Sequence, residues 1–471
     1  MEHHGHWRVT RRRIAAALLL TVTTSLAANA APSHTSADAQ AHTGRIGAAV
    51  APADPVDSPM YRGSAAGNPI ATTSQNLSVN WTSPPLQSLT IDATPYSNTL
   101  YISGMVFGPF AARGSQFHDP FYALDVRTGK VLWHTYTPNW HTRGPIVVKG
   151  VVYLGVGNSW AASAAPVNWD TVVRGTGPSG VFAYDAATGR PLWNFPTPGA
   201  VHNTPLYANG VIYAVTGDRA VYAIDAATGQ LKWKLSIPSY DSVSSPILSG
   251  NMIYFGGAHP YAVYGVDLTT HKIAWQTALP HVMGATDDCT PAVANGLVYI
   301  EGATSDKYTT LPSTGTPIGQ SLFALNAKTG KIAWTFDEGA GHTPFFYAAS
   351  TPTVVGNTVY FGSDVTASFY AVDALTGAQR WVYQVGAAWT LANTIGESAA
   401  IAGGVAWTGT RGGLLLGLRT ADGSVAYHKQ LKAAIYAGSP TIVDDTLVVP
   451  SSTGQVQAFS ITQLLAQGAT Q

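Results

Sequence analysis

The stretch Thr204 to Trp233, TPLYANGVIYAVTGDRAVYAIDAATGQLKW, decides the fold. Apolar residues alternate along it, and Asn-Gly and Ala-Thr-Gly turns interrupt them, so it reads as four short antiparallel strands, A to D. Its marks return along the chain. Pro145, Pro205, Pro246, Pro291, Pro352 and Pro440 each stand eight residues before Tyr153, Tyr213, Tyr254, Tyr299, Tyr360 and Val448. Asp125, Asp185, Asp225, Asp267, Asn326 and Asp373 each stand eight before Trp133, Trp193, Trp233, Trp275, Trp334 and Trp381. A fixed period of this length marks one supersecondary unit used repeatedly. A seventh unit, Ala399 to Tyr427, is degenerate, and the eighth ends near Phe459 with three strands and no tryptophan. The missing outer strand is available before the first unit, as Asn76 to Trp81, NLSVNW. The expected architecture is all-β: an eight-bladed β-propeller of four-stranded blades over residues 76–460, its ring closed by an N-terminal strand. Residues 461–471 would be a C-terminal tail.

The beginning of the chain reads differently. Arg8 and Arg11 to Arg13 precede an apolar run from Ile14 to Leu20, and Ala28-Asn29-Ala30 is a small-x-small cleavage sequence. Residues 1–30 therefore read as a signal peptide of twin-arginine type, too short in its apolar run to span a membrane. Residues 31–75 are rich in Ala, Pro, Ser and Thr, with Asp and His, and have no apolar period, the composition of a disordered linker. A secreted, periplasmic or cell-wall location follows. Charged residues make up 11% of the chain, against about 25% in ordinary soluble domains, with a formal net charge of zero. That balance argues against nucleic acid or an anionic membrane as partner. A charge-poor surface also suits an acidic medium, since few carboxylates change state there. The sequence sets no oligomeric state.

The pattern A-x-D-x-x-T-G-x-x-x-W, in ALDVRTGKVLW (Ala123 to Trp133), AIDAATGQLKW (Ala223 to Trp233) and ALNAKTGKIAW (Ala324 to Trp334), resembles the tryptophan-docking repeat of the PQQ-like eight-bladed propellers. The resemblance runs from about Asn76 to Phe459. It implies the fold and leaves the chemistry to be found, because that ring serves quinoprotein alcohol dehydrogenases, the assembly factor BamB and tetrathionate hydrolases. The repeated tryptophans themselves are blade-to-blade packing.

Function is sought where the repeat varies. The spacing between the B and C strands is stretched from Tyr101 to Asp125, Tyr153 to Asp185 and Tyr299 to Asn326, all loops of one face. Two positions before the repeated proline, at the channel mouth, stand Ala93, Arg143, Asn203, Ser244, Cys289, Ser350, Glu397 and Gly438. His141, His202, Asp287 and Asp288 lie just upstream in the sequence, and His281 and His342 farther out. Cys289 is the only cysteine. Such a layer in a charge-poor chain points to a functional site, where resemblance to the tetrathionate hydrolases implies a small anionic substrate, unless these are solvated loop residues and a packed cysteine.

Resemblance to the tetrathionate hydrolases implies an enzyme without cofactor. Cys289 would be the reactive thiol and Asp306, in GATSDKYTTLPSTG, the acid or base, with Asp287 and Asp288 as rivals. Arg143, the four histidines in protonated form, Asn203 and Glu397 would line the substrate site. The alternative is a dehydrogenase using PQQ and calcium. Asn158, in Gly155-Val156-Gly157-Asn158, matches that family's metal-binding segment. Gly177-Pro178-Ser179 stands where its aspartate belongs, blade one (MVFGPFAARG) lacks its glutamate, and one cysteine cannot make its cysteine pair. Asp170 is a possible substitute ligand. The third class is a BamB-like scaffold without enzymatic activity.

Overall fold

The Asp-x-x-Thr-Gly turns are shaped by their own side chains. In blade 3, Asp225 Oδ1 accepts the Thr228 backbone N–H and hydroxyl, both at 3.0 Å, and Gly229 takes the φ of 70° that closes the hairpin. The tryptophan of the preceding blade lies on that glycine. A Cβ on Gly229 would stand 2.7 Å from the Trp193 ring, and the Trp193 indole N–H donates to Ala226 O at 3.1 Å. Trp133, Trp275, Trp334 and Trp381 dock likewise on Gly189, Gly330, Gly377 and Gly423. Trp233 meets His271 instead, and the two rings stack at 4.6 Å.

A computed structural model describes residues 60–73, 76–86, 89–105, 119–141, 143–159, 167–241, 243–305, 317–341, 349–387, 390–432 and 438–467. Their strands form eight sheets, one per blade. The first strands of successive blades touch one another in a closed circle around the axis. Hydroxyl groups stitch that inner ring. Thr204 N donates to Ser245 Oγ (3.0 Å), Ser245 N to Thr290 Oγ1 (2.9 Å), Thr351 N to Ser398 Oγ (2.8 Å) and Ser398 N to Ser439 Oγ (3.2 Å), each reaching the next blade.

Blade 8 closes as expected. Its strands Thr441–Val443, Thr446–Pro450 and Val456–Ser460 are joined by Trp81–Thr82, with Trp81 opposite Ala458 and Thr82 opposite Gln457. Trp81 is therefore the tryptophan this blade lacked: its indole donates to Val126 O at 2.9 Å and covers Gly129. Upstream, Asp444 Oδ2 accepts Leu77 N at 2.8 Å.

Residues 60–73, expected within the linker, have instead a defined place inside the ring. Ile70–Ala71 runs parallel to Thr441–Val443, with Ile70 opposite Ile442 and Ala71 opposite Val443. The reason is backbone accounting: the innermost strands present N–H groups toward the channel, and a passing chain satisfies them. The signal-peptide reading and the rest of the linker up to residue 59 lie outside the described residues. At the other end, the expected C-terminal tail begins with a helix, Ile461–Gln467, that buries Ile461 and Leu464. No helix among the described residues is long and apolar enough to cross a membrane.

Candidate functional site

Blade 5 departs from the repeat in its first strand. Val282–Gly284 and Ala292–Ala294 both pair with Leu297–Thr304, so residues 285–291 form an excursion between two half-strands. Ala285 turns the chain at φ 69°, and its carbonyl accepts Asp288 N (3.1 Å) and Cys289 N (2.9 Å). The Asp287 carbonyl takes both Val243 N and Ser244 N at 2.8 Å. The excursion, which carries Asp287, Asp288 and Cys289, is thereby fixed against blade 4.

Cys289 has a counterpart in its neighbours. Ser244 Oγ accepts Gly256 N (2.8 Å) and Ser350 Oγ accepts Gly362 N (3.0 Å), each from the second strand of its own blade. Cys289 Sγ accepts Glu301 N (3.4 Å) at the same place and donates to Ser350 O (3.3 Å). The thiol thus fills a hydroxyl position of the repeat. It is 0% exposed, and burial pushes its pKa well above the ordinary range, with Glu301 adding to the rise. The nucleophile expected of this residue would be a thiolate, and the surroundings favour the neutral thiol. Cys289→Ala is expected to cost about 1–2 kcal/mol, read from the urea unfolding midpoint, by deleting a small buried group and leaving Glu301 N unpaired.

The charged groups around the excursion come from several blades. Asp287 Oδ2 accepts Arg174 Nη1 at 3.3 Å, with side chains 7% and 18% exposed. Burial raises the Asp287 pKa to about 7, helped by the charge of Asp288 and opposed by Arg174. The Arg174 guanidinium lies 5.2 Å from the Tyr240 ring centre. Arg143, from blade 2, donates through Nη2 to Asp288 O and through Nη1 to the Tyr61 hydroxyl, both at 3.2 Å. Burial works against the Arg143 charge, but Tyr61, Asp92, Glu397 and Asp288 outweigh it and hold the pKa up. Asn203 donates to Val215 O at 2.7 Å and to the Asp241 carboxylate, which in turn acts on Arg174. Of the expected site, Arg143, Asn203, Asp287, Asp288 and Glu397 therefore belong to one electrostatic cluster.

Two of the four histidines, His141 and His202, are not the expected cations. His141 is buried, with Nε2 accepting Gly104 N (3.1 Å) and Nδ1 bonded to Thr137 Oγ1 (2.9 Å), and burial lowers its pKa to about 3. His202 also falls to about 3, through burial and then Arg174 and Arg143. Both are neutral in mild acid, because their rings are packed out of water. His281 is exposed on the rim, where its carbonyl accepts Ser305 N (2.9 Å). Asp306 and His342 lie outside the described residues.

Among the described residues, neither candidate ligand of a calcium–quinone pair is placed to hold one. Asn158 Nδ2 is committed to Thr176 O (2.7 Å) and Asn139 Oδ1 (3.3 Å), and its Oδ1 to Thr176 N (3.0 Å) and Oγ1 (3.1 Å). Its amide pins the blade-two loop and has little left for a metal. Asp170 is 82% exposed and faces His259. Among the described residues no three His, Cys, Asp or Glu side chains are grouped to hold a metal.

Sequence reasoning missed several members of this region. Arg174 sits in the blade-two insertion three residues before Gly177-Pro178-Ser179, where attention to a missing aspartate passed over a cation. Tyr61 and Arg62 stand out only as large side chains in a Pro- and Ala-rich stretch. Glu301 and Glu338 occupy strand positions with no chemical motif around them. Glu301 accepts Gln320 Nε2 (2.8 Å), Ser350 N (3.1 Å) and Ser350 Oγ (3.0 Å), and is 0% exposed.

The family model described as outer membrane protein assembly factor BamB matches residues 119–302, 260–395 and 370–467. The chain is 26% identical over 298 residues to the tetrathionate hydrolase of Acidithiobacillus ferrooxidans, a match covering 60% of this chain. It covers 59% of that protein, less than two thirds of the relative's length. Among solved structures, BamB from Moraxella catarrhalis superposes with a TM-score of 0.50 at 16% identity, over 80% of this chain and 92% of that one. The computationally designed protein Ika8 gives 0.56 at 12% identity, over 82% and 100%. At these identities the structural likeness is one of fold.

Proposed function

The chain belongs to the PQQ-like propeller family whose model spans most of it, and from that premise we propose that it is an exported enzyme hydrolysing a small sulfur oxyanion, tetrathionate, in an acidic medium. The reading is carried by one arrangement: Asp287, a carboxyl with a pKa of about 7, bonded to Arg174. The tetrathionate hydrolase relative supplies the substrate class. The signal-peptide reading of residues 1–30 supports export.

Below about pH 7 Asp287 is protonated and no longer neutralises Arg174. The guanidinium is then available to a sulfonate, and Arg143 offers a second cation. Above that pH the carboxylate reclaims Arg174 and repels a dianion. Acid therefore favours binding through a carboxyl–arginine pair, the task first expected of histidines. In the reaction, a water oxygen bonds to a terminal sulfonate sulfur and the adjacent S–S bond breaks. The bond pair leaves with the S–S–SO3 fragment, which takes the Asp287 proton, while the water releases its own proton to solvent. The other product is hydrogensulfate, and loss of one sulfane sulfur from the protonated fragment gives thiosulfate. Asp287 is then reprotonated from the medium.

The test is thiosulfate release from tetrathionate between about pH 3 and pH 8. The wild type should lose activity as pH rises through about 7. Asp287→Asn should lose about 100-fold or more in kcat and that alkaline limb, as expected when a general acid is removed. Asp306→Asn, made in parallel, shows whether the blade-five loop supplies a second acid. A folded wild type that releases no thiosulfate anywhere in this range would sink the reading.

A further inference from the structure

Residues 60–73 do more than fill space. We propose that this segment is a built-in plug that closes the axial channel, leaving access from one face, and that it supplies Tyr61 as a positioning residue for Arg143. The second part rests on the functional reading above.

The plug is hydrogen-bonded to four consecutive blades. Val293 N of blade 5 donates to Ala65 O (2.6 Å), and Val354 N of blade 6 to Ala66 O (2.8 Å). Ile401 N of blade 7 donates to Asn68 Oδ1 (2.9 Å), and Asn68 Nδ2 returns a bond to Ile401 O (3.0 Å). Ile442 N of blade 8 donates to Pro69 O (2.9 Å) before the parallel pairing begins. The segment advances by about one residue per blade, and its turn is held by Arg62, which donates to Gly67 O (2.7 Å) and Ala399 O. Gly67 must be glycine: its φ is 72° and a Cβ would stand 2.6 Å from Pro352 O. On the side of blades 8, 1 and 2, between the segment and Asp92, Thr94, Gly144 and Ser439, a cavity of about 80 Å³ remains. That is room for a few waters.

Tyr61 sits at the mouth end of the plug and is 4% exposed. Its hydroxyl accepts Arg143 Nη1 (3.2 Å), and the guanidinium carbon lies 5.3 Å from its ring centre. Arg143 is thus gripped between a ring and hydroxyl of the plug and the Asp288 carbonyl of blade 5. Its Nε is buried without a partner among the described residues. A side chain held at two points presents its charge in one orientation and loses little entropy on meeting an anion.

The experiment uses the full chain. Tyr61→Phe keeps the ring and deletes the hydroxyl, and Tyr61→Ala deletes both. The thiosulfate Kd by calorimetry and the tetrathionate KM should rise about 10-fold in Tyr61→Phe and further in Tyr61→Ala, the loss expected for a hydrogen bond to a charged group. The kcat should stay within about twofold and the thermal midpoint of Tyr61→Phe should be unchanged, a split that a merely structural tyrosine does not produce. Wild-type KM and Kd in both variants would overturn the role of Tyr61. Hydrogen exchange decides the plug separately. In the wild type the amides of Val293, Val354, Ile401 and Ile442 should be protected, and Gly67→Ala should expose them selectively. Rapid exchange at all four in the wild type would overturn the plug. A wild type that neither cleaves tetrathionate nor binds thiosulfate would defeat the functional reading and Tyr61's role with it, leaving the exchange result to decide the plug.

Discussion

Trp81→Ala lowers the stability of the propeller by more than any equivalent change in the other blades. A tryptophan truncated in a packed site costs about 3–5 kcal/mol, and Trp81 also loses its bond to Val126 O (2.9 Å) and its cover over Gly129. The same local losses occur in Trp193→Ala, whose indole bonds Ala226 O and covers Gly229. The difference lies in what holds each strand. Trp193 belongs to a six-residue strand, Pro191–Pro196, continuous with its own blade. Trp81 belongs to a two-residue strand, Trp81–Thr82, which reaches blade 8 from the far end of the sequence. Its indole is a main attachment of that strand, and removing it exposes the edge of Val456–Ser460 to pairing with other chains. Urea unfolding and light scattering of the two variants provide the measurement. Equal midpoints and no added scattering for Trp81→Ala would show that closure does not depend on this side chain.

Glu338→Gln flattens the alkaline side of the stability profile. Both Glu338 carboxyl oxygens are buried, and the Ser363 side chain only partly offsets that burial. Burial raises its pKa to about 8 and pushes Glu301 up as well, the charge of Glu338 adding to the latter. For a group whose folded pKa lies above its unfolded value, the stabilising contribution is complete below the unfolded pKa. For Glu338 it is therefore present below about pH 4.5 and lost as pH rises through about 8. At about 1.4 kcal/mol per pH unit per proton, the wild type should be weaker at pH 9 than at pH 5 by roughly 2–4 kcal/mol from this group. Glutamine stays neutral, so the variant should be the more stable protein at pH 9 and near parity at pH 5. His141 and His202 pull the other way: their depressed pKa contributes stability above 6.5 that is lost as pH falls through about 3. The two tendencies oppose each other between about pH 4.5 and 6.5. Thermal midpoints of both proteins across pH 4 to 9 check this, and parallel curves would contradict it.

The repeat was legible because strand alternation, Asp-x-x-Thr-Gly turns and tryptophans impose fixed spacings, and the eighth blade announced its missing strand by lacking a tryptophan. The channel-mouth layer was legible in part for the same reason, since counting back from the repeated proline finds Arg143, Asn203, Cys289 and Glu397. Counting could not tell which side chains complete the repeat's own hydrogen bonds. Cys289 does so in the manner of Ser244 and Ser350. Charge state was illegible for a related reason: His141 looks titratable until its ring is seen packed behind Thr137 and Gly104. Arg174 and Tyr61 lie in aperiodic stretches, where no spacing says what a residue will face. Their partners come from other blades, and only closure of the ring brings them together.

That closure has a mechanical consequence. Ser83 and Val456 are hydrogen-bonded across 373 residues of chain, so both ends of the described propeller are anchored in one blade. Tension applied between Leu77 and Ser460, downstream of the plug, is borne first by that seam, which is two antiparallel residue pairs and the bond from Leu77 N to Asp444. The seven other blades, each a hairpin sheet continuous in sequence, carry load only after it parts. Under force the ring should unbuckle at a single low-resistance step and then lengthen blade by blade, like a belt whose clasp is weaker than its links.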